Sequence, residues 1–173
     1  MPANRSTPNL PSTHNTTEGD MNLYHGRDLR KGRLSESGRP YLITTVVRER
    51  RPLFEDWRIG RLLVSELRQA VQGGRADSLS WVIMPDHLHW LLVPRTETLE
   101  VVLRRAKSRS ARAINRALGR SGAVWQRGYH DHALRRDEDL RAAARYIIAN
   151  PLRAGLVATV GDYPLWDCVY LAG

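Results

Sequence analysis

The sequence predicts an α+β fold, a mainly antiparallel sheet with helices packed on one face. Two observations carry that expectation. Short β-branched runs and longer runs with apolar residues at helical spacing follow one another in the order β, α, β, β, α, β, α. In addition, two apolar runs flank Pro85-Asp86, a turn signal that makes them two strands, or one strand bent around a tight turn.

Each element has its own justification. Residues 1–22 are polar, rich in Pro, Thr and Asn, and almost without apolar anchors, so they cannot repay the entropy of ordering and are expected to be a disordered extension. Met21 opens a stretch that resembles a natural start. Residues 23–39 are basic and glycine-containing without clear periodicity, and are expected to form an arm. The domain proper is expected over 40–170. Its first strand is PYLITTVVR, residues 40–48. A helix follows over 54–72, with Trp57, Ile59, Leu62, Leu63, Leu67 and Val71 near helical spacing and Gly73-Gly74 as the stop. The runs 79–84 and 87–93 supply the two strands, or the one bent strand. A helix over 99–118 closes at Gly119, a strand covers 124–134, and a last helix begins near Asp137 and should end close to Pro151.

Composition bounds the function. A net charge of +9 and a pI near 10.5 point to a polyanionic partner, and almost all the positive charge is arginine, Lys31 and Lys107 being the two lysines. From Arg104 to Arg145 there are twelve Arg or Lys against four Asp or Glu, an excess a solvated helix face would ordinarily balance. The single cysteine, Cys168, excludes a disulfide framework and a Cys-based zinc site. No apolar run approaches the roughly 20 residues of a membrane span, and the N-terminus has no signal-peptide core, so a cytoplasmic location is expected.

The chemistry centres on WVIMPDHLHWLLV, residues 81–93. On a strand, His87 and His89 project to one face while Leu88 and Trp90 face the other. Two such imidazoles make two legs of a divalent metal site, a general acid/base pair, or merely half-exposed strand histidines. In ARYIIANPLRAGLV, residues 144–157, Tyr146 and Asn150 lie at i and i+4 and share a helical face if the last turn persists to Asn150. A phenol, an amide and two imidazoles are the parts for metal-assisted attack on phosphate, with the tyrosine as nucleophile.

Those motifs carry a resemblance. MPDHLHWLL, an Arg-rich helix, then WQRGYHDHALRRDEDLRAAARYIIANPLRAGLV together resemble the REP-associated tyrosine transposases, single-tyrosine HUH transposases in which U is a bulky hydrophobic residue. The likeness spans about Tyr41 to Trp166. It implies a ferredoxin-like fold and nicking of single-stranded DNA at palindromic repeats that fold into hairpins. It also implies that His87 and His89 are metal ligands, with Leu88 as U, Tyr146 as nucleophile and Asn150 as third metal contact. The implied cofactor is Mg2+ or Mn2+. Two imidazoles favour Mn2+ intrinsically, although cellular supply also bears on the choice. The implied linkage is a 5′-phosphotyrosine, made by a monomer or homodimer in the bacterial nucleoid.

Secondary candidates complete the list. Arg104, Arg105, Lys107, Arg109 and Arg112 are candidate DNA contacts on the central helix, with Ser108, Ser110 and Asn115 able to add phosphate hydrogen bonds; Arg30, Lys31 and Arg33 are the candidates on the arm. Trp125, Gln126 and Arg127 suit stacking and polar contact with unpaired bases, although Trp125 equally suits a core. Asp131 and His132 match a family pattern and are candidates for a supporting shell, beside a second H-x-H at His130 and His132. Tyr129 is the rival tyrosine. Two other function classes remain: a non-catalytic single-stranded DNA or RNA-binding module, for which no RNP1-like motif is present, and a histidine-based RNA phosphoesterase, which would need two H-x-[ST] motifs.

Overall fold

The computed structural model describes residues 35–135 and 139–171; the expected extension over 1–22 and residues 23–34 of the expected arm lie outside the described residues. Strand β1 (Tyr41–Val46) leads through two short 3-10 turns to helix α1 (Trp57–Gln72). The hairpin follows as β2 (Ala76–Met84) and β3 (His87–Pro94), then helix α2 (Leu99–Ala117), strand β4 (His130–Ala133), helix α3 (Leu140–Ile148), the single turn α4 (Asn150–Arg153) and strand β5 (Trp166–Cys168). The sheet order is β4-β1-β3-β2-β5, with every neighbouring pair antiparallel. This is the expected α+β architecture, extended by β5 at one edge.

The local reasons are legible. Asp56 caps α1 by accepting from the Arg58 amide, and Gly73 takes the C-cap. Phe54, expected inside that helix, lies in the preceding 3-10 turn and is buried. Thr98 caps α2, and Gly119, with φ +59°, lies just beyond its end in the left-handed region that favours glycine. The strand expected over 124–134 is shorter, because Gly128 adopts φ +72° and Lys107 Nζ takes the carbonyls of Gln126 and Gly128 away from a ladder. What remains upstream is one bridge, Val47 to Trp125. Pro151 does not finish the last helix. It sits in the first turn of α4, where a missing N–H costs nothing, and the chain makes one more turn.

Alternation along the strands sorts two cores. Tyr41 and Ile43 of β1, Trp81 and Ile83 of β2, and Leu88, Trp90 and Leu92 of β3 pack with α1 and α2. Val82, Met84 and Leu91 face the other way, against Ala144, Ile147 and Ile148 of α3 and Cys168 of β5. Thus α1 and α2 share the single face expected of the helices, and α3 adds cover on the opposite face. The end of the expected arm is fastened down: Ser35 Oγ accepts from the Leu99 amide at 2.9 Å, and Ser37 Oγ donates to the Arg95 carbonyl at 2.8 Å.

Candidate active site

His87 and His89 lie on β3 and alternate with Leu88 and Trp90, which are buried in the α1/α2 core. Both imidazoles therefore point to the face that α3 covers. Their Nε2 atoms converge to 3.1 Å, with the rings edge-on at 86°. Each ring is held from behind. His87 Nδ1 donates to Asp86 Oδ1 at 2.5 Å, and Asp86 Oδ2 in turn accepts from Arg50 at 3.0 Å. Thr44, the register partner of His89 on β1, places Oγ1 2.8 Å from His89 Nδ1.

The electrostatics follow from these contacts. Burial pushes His89 down to about 3, and the charges of His87 and Arg153 add to the effect, so the ring is neutral at physiological pH. Burial alone would raise the Asp86 carboxyl, but the hydrogen bond and charge of His87, with Arg50 behind them, hold it below the usual aspartate range. An ionised Asp86 accepting from Nδ1–H leaves the His87 Nε2 lone pair free. The Thr44 hydroxyl can either donate or accept, so it satisfies either tautomer of His89. Two imidazoles that converge and are each oriented from behind can act as donors to a divalent metal ion. Among the described residues no group of three or more His, Cys, Asp or Glu side chains is arranged to hold a metal ion.

Arg50 reaches Asp86 from an unusual backbone. Glu49 and Arg50 have φ of 60° and 51°, both left-handed for non-glycine residues. Holding two such residues in succession is a local cost set against the contact that Arg50 makes.

Tyr146 is on α3 and 47% exposed. The Arg153 guanidinium lies over its ring, 3.9 Å from the centroid. Asn150 spends its amide locally: Nδ2 donates to the Ile147 carbonyl at 2.8 Å, and Oδ1 accepts from Arg153 at 2.7 Å. The expected third metal contact is thus engaged with Arg153. Tyr129 goes elsewhere. Its hydroxyl donates to Glu100 of α2, across the sheet from the histidines.

Burial corrects two expected DNA contacts, Trp125 and Ser110, while Lys107, Arg109 and Asn115 have structural partners and keep some exposure. Trp125 is 7% exposed, packs on Phe54 and donates Nε1–H to Ser110 Oγ at 3.1 Å, so it is a core residue and not a base-stacking platform. Ser110 is fully buried and cannot meet a phosphate. Arg109 ties α2 to α1 through Glu66 and Gln69, both at 2.6 Å. Lys107 fastens the loop through Gln126 and Gly128, and Asn115 donates to the Gly122 carbonyl. Arg105 pairs with Glu97 at 3.3 Å while staying half exposed. Arg104, Ser108, Arg112, Gln126 and Arg127 are exposed, and Arg30, Lys31 and Arg33 lie outside the described residues. On β4, His130 pairs with Thr44 and His132 with Leu42, which puts both on the histidine face; Asp131 pairs with Ile43 and faces the opposite side.

Sequence reasoning missed four residues of this arrangement: Thr44, Arg50, Asp86 and Arg153. Asp86 alone left a sequence signal, an acid beside the first histidine in the turn.

Comparison with known proteins agrees with the architecture. A family model described as "Transposase IS200 like" matches residues 37–150. A Haemophilus influenzae protein named as a REP-associated tyrosine transposase is 28% identical over 149 residues, covering 80% of this chain and 81% of that protein. An Escherichia coli K12 REP-associated tyrosine transposase is 31% identical over 87 residues, 49% of this chain and 50% of its own length. The solved structure of a REP-associated tyrosine transposase bound to a REP hairpin superposes with a TM-score of 0.60 at 24% identity, over 78% of this chain and 79% of that one. At that identity it speaks for the fold. Among the described residues no helix is long and apolar enough to cross a membrane.

Proposed function

The chain belongs to the IS200-like transposase family, and from that membership we propose that it is a metal-dependent single-stranded DNA endonuclease and strand transferase. Its substrates are hairpin-forming repetitive extragenic palindromes, and its intermediate is a 5′-phosphotyrosine on Tyr146. The substrate class is taken from the relatives' names. The chemistry rests on one observation above all, the convergence of His87 and His89 Nε2 to 3.1 Å on the face that α3 covers.

When bound by those two nitrogens, a Mg2+ or Mn2+ ion would polarise the phosphoryl oxygens of the scissile linkage. The rest falls to the chain. Asp86 fixes the His87 tautomer, and burial keeps His89 in its neutral, ligating form. Asn150 can serve as a third contact through the second lone pair of its Oδ1 while Arg153 keeps the first. Tyr146 Oη attacks phosphorus in line: the P–Oη bond forms as the P–O3′ bond breaks, and the proton lost by the phenol is balanced by one taken up at the departing 3′ oxygen. The phosphodiester energy stays in the new link, so rejoining needs no ATP. Arg104, Arg105, Arg112, Gln126 and Arg127, with Arg30, Lys31 and Arg33 of the arm, are the proposed DNA contacts, and His132 is the proposed supporting residue on the histidine face.

The test is cleavage of a single-stranded hairpin oligonucleotide carrying the repeats that flank the gene. His87→Ala or His89→Ala should abolish cleavage while hairpin binding, which rests on distributed arginine contacts, largely survives. Undiminished cleavage by either variant in EDTA defeats the metal assignment.

A further inference from the structure

Arg153 belongs to none of the functions assigned above, yet it touches two of the residues that carry them. Its guanidinium carbon lies 3.9 Å from the centroid of the Tyr146 ring, and one of its N–H groups donates to Asn150 Oδ1 at 2.7 Å. Seven residues along a helix place two side chains on nearly the same side but about 10 Å apart along the axis. A long side chain spans that rise because helical side chains lean toward the N-terminus. The chain serves this return: α3 stops at Ile148, and α4, with Pro151 in its first turn, carries Arg153 on its last residue. Arginine's planar guanidinium can lie flat on a ring and hydrogen-bond through its edge at once, which lysine cannot do.

The consequence concerns aim. Tyr146 is 47% exposed, and a phenol with that much solvent around it would ordinarily sample several rotamers. In-line attack demands one, and a misplacement of 1 Å can cost on the order of 100-fold in rate.

We propose that Arg153 is a positioning residue of the cleavage reaction: stacked on Tyr146 and bonded to Asn150, it holds the phenol, on the helix that covers the histidine face, at the orientation from which it attacks. The proposal rests on the assignment of Tyr146 as nucleophile. A merely structural pairing of surface groups would leave the rate of adduct formation unchanged, and the two are separable by that rate.

The experiment uses the full chain with Mn2+ and the hairpin oligonucleotide, comparing wild type with Arg153→Gln, Arg153→Lys and, as control, Arg145→Gln on α3, the helix that carries Tyr146. Single-turnover adduct formation at saturating DNA, hairpin affinity, and the 19F resonance of 3-fluorotyrosine placed at position 146 are measured. Arg153→Gln should slow adduct formation roughly 10- to 100-fold with hairpin affinity changed less than about threefold, and should shift the 19F resonance. Arg153→Lys should restore little of the rate, and added guanidinium should restore part of it to Arg153→Gln. Arg145→Gln should leave rate and resonance as in wild type. A wild-type adduct on Tyr146 with an undiminished rate in Arg153→Gln, or an unshifted resonance, overturns this inference alone. A wild-type adduct on another residue overturns both the inference and the nucleophile assignment beneath it.

Discussion

Replacing Asp86 by Asn should raise the metal requirement without emptying the site. Asp86 receives two donors, His87 Nδ1–H at 2.5 Å and the Arg50 guanidinium at 3.0 Å, one on each carboxylate oxygen. An asparagine of the same shape has one acceptor oxygen. If it faces His87, its NH2 meets the Arg50 guanidinium, donor against donor. If it faces Arg50, its NH2 meets His87 Nδ1 and favours the tautomer with the proton on Nε2, the atom that must ligate. Loss of such a supporting carboxylate typically costs 10- to 100-fold in metal affinity, about 1.4 to 2.7 kcal/mol. The assay is Mn2+ binding by electron paramagnetic resonance, with cleavage measured against Mn2+ concentration. The half-saturating concentration should rise by that factor, with most of the rate recovered at saturation. There is a pH counterpart. The Asp86 carboxyl is held below its ordinary value of 3.8, so its contribution to stability is present above that pH and is lost as pH falls through the lower, folded value. Asp86→Asn should therefore flatten the acid limb of the stability profile. Unchanged Mn2+ affinity, with the acid limb intact, would refute the orienting role.

Two further outcomes follow from the corrected contacts. Trp125→Phe removes the indole N–H that Ser110 accepts in the core and should cost about 1–3 kcal/mol of stability, with hairpin affinity within about twofold; a large loss of affinity at unchanged melting temperature would make Trp125 a DNA contact after all. If roughly 5 to 8 phosphates are neutralised, log K should fall against log salt with a slope of about −3.5 to −6. Arg104→Gln with Arg112→Gln should flatten that slope, while Arg109→Gln should lower stability and leave it alone; the reverse pattern would move the DNA surface to Arg109.

Much of this was legible because it is local. The turn at Pro85-Asp86, the glycine stops of α1 and α2, and the common face of His87 and His89 all follow from period and turn chemistry within one short window. The failures share a different cause. β5 has three residues, too few to carry a period, and it exists because β2 offers it an edge. Trp125 has the composition of a stacking residue, and only the packing of α2 brings Ser110 to its indole nitrogen. Thr44 lies 45 residues before His89 and meets it through strand register alone. Arg50 reaches Asp86 from a 3-10 turn 36 residues away, and Arg153 returns to Tyr146 because a proline usually read as a helix end instead begins another turn. Tertiary proximity, not residue type, decided each of these.

The account stands most directly on which tyrosine carries the DNA. Tyr146 lies on the helix that packs against the histidine face, and Tyr129 bonds to Glu100 on the other side of the sheet. Tyr146→Phe removes one oxygen and little packing. Peptide mapping of the trapped adduct, with Mn2+ and the hairpin oligonucleotide, should find a 5′-nucleotide on Tyr146 in wild type and in Tyr129→Phe, and none in Tyr146→Phe. A nucleotide on Tyr129, or an adduct that survives Tyr146→Phe, would contradict it.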